Sequence, residues 1–148
     1  MPPPTPNGPH HDTPSERRMS RVVLDTSALL FWTLAPERLS PRASAVIESA
    51  APFGWLASAI SLWEIGLKVQ RGHLSLGVTF AEYVQRLQLV DGLVLAPVDV
   101  RTWLRTLELD WAHRDPADRV IVATAELQSL PLVTSDVEMA RYYANVVW

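Results

Sequence analysis

The stretch Val22-Val23-Leu24-Asp25-Thr26-Ser27-Ala28-Leu29-Leu30-Phe31-Trp32 decides how the chain folds. A β-branched run ends on a carboxylate, and an apolar helical pattern begins at once. The pattern predicts a strand over about 21–25, an acid at its carboxyl end, and a helix that Pro36 closes. Open parallel sheets bind ligands in the crevice beyond the carboxyl ends of their strands. Asp25 is thus expected where chemistry is usually done.

Downstream, the same alternation repeats. Ser40-Pro41 starts a helix running to about Ala50, and Trp55-Leu56-Ala57 is a short strand. A helix from near Ser58 to about Arg71 ends at Gly72, and Thr79 caps another over about Phe80–Leu89. Strand Leu93–Ala96 follows the turn Asp91-Gly92, and Asp99 and then Asp115-Pro116 open two further helices. Pro131–Thr134 reads as a strand, Asp136 as the start of a short helix, and Asn145–Val147 as a last strand. Strands alternating with helices predict an α/β sandwich around a mostly parallel sheet. Right-handed crossovers would then bring every strand's carboxyl end to one edge.

Residues 1–18 are proline-rich and polar, and read as a disordered leader before a single domain over 19–148. Met19 is an alternative start. The cluster His10-His11-Asp12 in that leader reads as incidental. With 148 residues and 48% hydrophobic content, the chain can bury a real core. It has no cysteine, so any metal must bind through carboxylates or histidines. No segment approaches the roughly 18 apolar residues of a membrane span, and a cytoplasmic location is expected. Net charge is −3, which excludes holding nucleic acid by bulk positive charge. Lys68 is the lone lysine among 13 Lys and Arg residues.

Four acids gather at the predicted edge: Asp25 and Asp136 at strand ends, Glu64 and Asp118 in early turns of helices. Each has a plain structural reading. Asp25 and Asp136 can cap helices, Glu64 closes the capping-box pattern Ser61-Leu62-Trp63-Glu64, and Asp118 suits a helix dipole. Yet Glu64 interrupts an apolar face between Ile60 and Leu67, where a lone carboxylate costs several kcal/mol. A shared cation answers both desolvation and repulsion. An all-oxygen site suits Mg²⁺ or Mn²⁺, which serve phosphodiester hydrolysis. Of the neighbouring pair, Asp115 is assigned as the cap and Asp118 as the ligand. Thr26, Ser27 and Thr134 flank the acids and are candidates to orient them, with capping and strand roles as the alternatives. Lys68 holds Glu64 as an i,i+4 pair or touches a substrate phosphate, and Arg119 is a phosphate contact or surface. His73 and His113 are possible acid–base groups that no spacing singles out.

These residues resemble the PIN domain and, within it, the VapC-like toxins of type II toxin–antitoxin systems. The resemblance spans about 21–147. It is carried by Leu24-Asp25-Thr26-Ser27-Ala28-Leu29-Leu30, by Ser61-Leu62-Trp63-Glu64-Ile65-Gly66-Leu67-Lys68, by Arg114-Asp115-Pro116-Ala117-Asp118-Arg119, and more weakly by Leu132-Val133-Thr134-Ser135-Asp136. It implies a three-layer α/β/α fold with a five-stranded parallel sheet. It also implies a Mg²⁺- or Mn²⁺-dependent endoribonuclease with Asp25, Glu64, Asp118 and Asp136 as its acidic site. A homodimer and a VapB-like antitoxin are the implied partners, with Leu30, Phe31, Trp32 and Trp63 as candidate groove or dimer residues and core as their alternative. Three rivals stay open: a PIN nuclease for RNA processing or DNA, a non-catalytic binding module whose acids are only caps, and, more weakly, a phosphoaspartate receiver.

Overall fold

The computed structural model describes residues 20–148; the leader, Met19 and the His10-His11-Asp12 cluster lie outside the described residues. Five strands form one all-parallel sheet: β1 (Val22–Leu24), β2 (Trp55–Ser58), β3 (Leu93–Ala96), β4 (Leu132–Val133) and β5 (Val146–Val147). Their spatial order is β3-β2-β1-β4-β5. The chain steps outward from β1 to β3, then returns to add β4 and β5 on the other side. The order therefore reverses between β1 and β4, and the crevice at such a switch point is where α/β sheets bind ligands.

Period-two burial makes the layers. Val22 and Leu24 of β1, Ala57 of β2 and Val133 of β4 face one core, which α1 (Thr26–Leu34), α2 (Pro41–Ser49), α3 (Ala59–Gln70) and α4 (Phe80–Gln88) cover with Leu29, Val46, Ile65 and Leu87. Val23, Leu56 and Leu132 face the opposite core, closed by Ile121 and Val122 of α6 (Pro116–Gln128) and Met139 of α7 (Val137–Tyr142). α5 (Val100–Glu108) packs on α6. Each fully buried Leu, Ile or Val contributes about 1.5–3 kcal/mol. The expected three-layer fold is the one observed.

Helix starts follow local chemistry. Asp25, Ser40, Ser58, Thr79, Asp99, Asp115 and Asp136 each accept a first-turn backbone N–H. Helix one ends at Leu34, just ahead of Pro36 as expected, and Pro36–Arg38 form a separate 3-10 turn. One local expectation changes. Ser61 is not a cap: Ser58 caps α3, so Ser61 and Glu64 lie inside the helix and no capping box forms. Gly54 secures the sheet edge. Its φ is +96°, and a Cβ there would meet the Gly92 carbonyl oxygen at 2.6 Å. That same oxygen accepts the Trp55 N–H at 2.8 Å and sets β2 against β3.

Among the described residues, no helix is long and apolar enough to cross a membrane. Leu30, Phe31 and Trp32 are partly buried against the first core, so core is their main role; Trp63 is 57% exposed.

Candidate metal centre

Asp25 follows β1 directly and is 6% exposed. Its Oδ1 accepts the Ala28 N–H at 2.7 Å, which caps α1, and its Oδ2 accepts the Thr134 hydroxyl at 2.5 Å. Thr134 follows β4, so this bond crosses the switch point. The Thr134 oxygen in turn accepts the Asp136 N–H at 3.0 Å. Burial pushes Asp25 up to about 6; the bonds from Thr134 and Ala28 oppose the rise, and the charges of Asp118 and Asp136 add to it.

Beyond Asp25, three acids converge. Glu64 from the second turn of α3, Asp115 at the cap of α6 and Asp118 in its first turn each place one oxygen within 4.8 Å of the others. Asp118 is raised by burial first; the His113 bond opposes this, and Asp115, Asp136 and Glu64 add repulsion. Asp136 caps α7 through the Glu138 and Met139 N–H groups, while its charge still reaches Asp25 and Asp118. All five acids thus share one electrostatic neighbourhood. The tight group is Glu64, Asp115 and Asp118, with Asp25 outside it.

Asp115 joins Asp118 in this group as well as capping the helix. Asp115 does cap α6, its Oδ1 accepting the Asp118 N–H at 3.0 Å. A carboxylate has two oxygens, however, and capping engages only one. Asp115 is both the cap and a member of the cluster, beside Asp118.

Arg119 also departs from expectation. Its Nη1 donates to the carbonyls of Trp111 and His113, and its Nη2 to those of Thr106 and Leu109. The guanidinium staples the segment before α6 and is not presented to a phosphate. Lys68 lies 3.9 Å from Glu64, with its side chain 47% exposed. Thr26 Oγ1 pairs with Ser61 Oγ at 2.9 Å in the interior, which ties the start of α1 to α3 rather than touching an acid. Among the described residues, the Ser27 side chain has no hydrogen bond to the cluster.

His113 is the residue sequence reasoning left unassigned. Its Nε2 lies 2.7 Å from Asp118 Oδ2. The only hint in the sequence is its place two residues before the Asp115-Pro116 helix start. His73 is exposed in the turn after α3.

Comparison with known proteins agrees with this architecture. The PIN domain family model matches residues 22–145. Ribonuclease VapC22 of Mycobacterium tuberculosis (strain ATCC 25618 / H37Rv) is 31% identical over 118 residues, 80% of this chain and 88% of that protein. Two solved structures share the fold. VapBC2 from Rickettsia felis, bound to a DNA fragment from its promoter, has a TM-score of 0.60 at 16% identity, covering 85% of this chain and 96% of that one. A toxin-antitoxin complex from Klebsiella pneumoniae has a TM-score of 0.55 at 19% identity, covering 86% and 96%. Matched across nearly the whole sheet and all seven helices, the chain belongs to the PIN domain family.

Proposed function

We propose that this protein is a divalent-metal-dependent endoribonuclease, the toxin of a type II toxin–antitoxin pair. The observation that carries this reading is the meeting of Glu64, Asp115 and Asp118 at the sheet's switch point, with buried Asp25 behind them. The family and the likeness to a VapC ribonuclease support it.

The residues fit a hard cation. Three carboxylates within 4.8 Å repel one another, and the nearest ammonium, Lys68, is 3.9 Å from only one of them. The donors are oxygens and the chain lacks cysteine, which favours Mg²⁺ or Mn²⁺ over softer ions. Glu64, Asp115 and Asp118 would hold the ion, with Asp25 and Asp136 completing its surroundings. Such an ion orients in-line attack on phosphate and neutralises the leaving oxygen. The chain's own work is placement. Thr134 fixes the Asp25 carboxylate and ties it to the Asp136 backbone. Burial keeps Asp25 out of bulk water, while Glu64, Asp115 and Asp118 stay open to solvent and substrate. The exposed Lys68 ammonium stands beside Glu64, where it can meet a substrate phosphate.

The rival reading, a binding module whose acids are only caps, accounts for Asp25, Asp115 and Asp136. It leaves Glu64 with a Lys68 ion pair and Asp118 with a helix dipole, neither of which accounts for their meeting Asp115 within 4.8 Å. A VapB-like antitoxin and a second copy of the chain are the proposed partners. Trp63, with Leu62, Leu67, Phe80 and Val84, lines an open apolar groove between α3 and α4 suited to an antitoxin segment. A cytoplasmic location follows from an RNA substrate.

The test is incubation of purified protein with RNA and DNA panels in Mg²⁺ or Mn²⁺, with EDTA, Glu64→Gln and Asp118→Asn as controls. RNA cleavage lost in all three controls is expected, along with growth arrest that an antitoxin relieves. Absence of cleavage with either ion, together with harmless expression, would refute the proposal.

A further inference from the structure

The segment 109–115 has no regular secondary structure, yet it is held on both sides. Arg119 grips the carbonyls of Leu109, Trp111 and His113 from α6. The Trp111 ring stacks with two others: with His113 at 4.6 Å and 23°, and with Tyr142 of α7 at 5.2 Å and 14°. What this scaffold delivers is one imidazole. His113 Nε2 reaches Asp118 Oδ2 at 2.7 Å, with only a quarter of the histidine side chain exposed.

A carboxylate with one oxygen fixed by a hydrogen bond loses its freedom to rotate, so the direction of its second oxygen is set. Facing a carboxylate, Nε2 is the ring nitrogen that carries the hydrogen. We propose that His113 is a positioning residue for the acid cluster: clamped by Trp111, Tyr142 and Arg119, it locks the Asp118 carboxylate in the orientation that faces Glu64 and Asp115. This rests on the metal-centre reading above. It assigns His113 no contact with substrate. Groups that orient a metal-binding side chain typically change metal affinity or activity about 10–100-fold when removed.

The test is calorimetric titration of the metal-free full chain with Mn²⁺, for wild type, His113→Leu, His113→Gln and Asp118→Asn. The Gln amide nitrogen reaches the place of imidazole Nε2, so His113→Gln keeps the donor. We expect His113→Leu to weaken Mn²⁺ binding about tenfold or more, and His113→Gln to stay within about threefold of wild type. Cleavage by His113→Leu should recover at saturating Mn²⁺. Unchanged affinity in His113→Leu would overturn the proposal. Tighter binding would overturn it too, by showing that His113 competes with the ion. A folded His113→Gln no better than His113→Leu would show that the hydrogen bond is not the cause. If wild type binds no Mn²⁺, the metal-centre reading falls first. If wild type binds, Asp118→Asn does not, and His113→Leu matches wild type, only the positioning role fails.

Discussion

Replacing Asp25 by asparagine removes one charge from the interior and leaves the shape almost unchanged. In the metal-free protein this should stabilise the fold. The Asp25 carboxyl is pushed from 3.8 to about 6, chiefly by burial. Converted at 1.36 kcal/mol per pH unit, that difference is about 3 kcal/mol against the folded state wherever Asp25 is charged in both states. The sign follows from proton binding. The folded state holds the Asp25 proton more tightly than the unfolded state does. Stability therefore falls as pH rises from 3.8 to about 6, and the full cost persists above that. Asparagine mimics the neutral acid and its carbonyl can still accept the Ala28 N–H. At about pH 8 in EDTA, Asp25→Asn should be more stable than wild type by up to about 3 kcal/mol, falling to about half near pH 5 and almost nothing near pH 4. Urea unfolding across that range reads the difference directly. Adding Mn²⁺ should reverse the order, because a ligand that binds only the folded state stabilises wild type more. An Asp25→Asn protein that is no more stable than wild type at about pH 8, or whose advantage does not shrink on acidification, would refute the argument.

Three further substitutions probe the surroundings. Thr134→Val removes the hydroxyl that donates to Asp25 and accepts the Asp136 N–H; unfolding at about pH 8 should show a loss of about 2 kcal/mol, and a smaller one near pH 5 where Asp25 is neutral. Arg119→Ala should cost about 3 kcal/mol and speed proteolysis between 109 and 115, because four carbonyls lose the guanidinium and only that of Leu109 keeps a second donor, the Trp111 N–H. A phosphate-contact role would instead raise KM and leave the urea midpoint alone. Asp115→Asn separates capping from ligation: asparagine caps as well as aspartate, so stability should stay within about 0.5 kcal/mol while Mn²⁺ affinity falls about tenfold. Equal Mn²⁺ affinity there would remove Asp115 from the metal centre.

What the sequence determined by itself is what local chemistry encodes. Val22 to Leu24 alternate between two cores, Pro41 and Pro116 open helices, and the Asp and Ser caps mark where strands turn into helices. Such signals act between residues at most four apart, so they survive without knowledge of the fold. Alternating strands and helices, with right-handed crossovers, then put Asp25, Glu64, Asp118 and Asp136 on one edge. Only the tertiary structure decided which atoms meet there. Asp115 reads as a cap because capping is local, while its approach to Glu64 depends on how α3 packs beside α6. Arg119 reads as a phosphate contact or a surface cation, but its partners are carbonyls of α5 and of the segment that follows it. His113 has no periodic or capping signal at all, since its reach to Asp118 depends on its stack with Trp111, which itself stacks on Tyr142, far along the chain on α7. Carboxylate positions along the chain are a matter of spacing. Their separations in space depend on side-chain packing between elements, and no short-range pattern carries that.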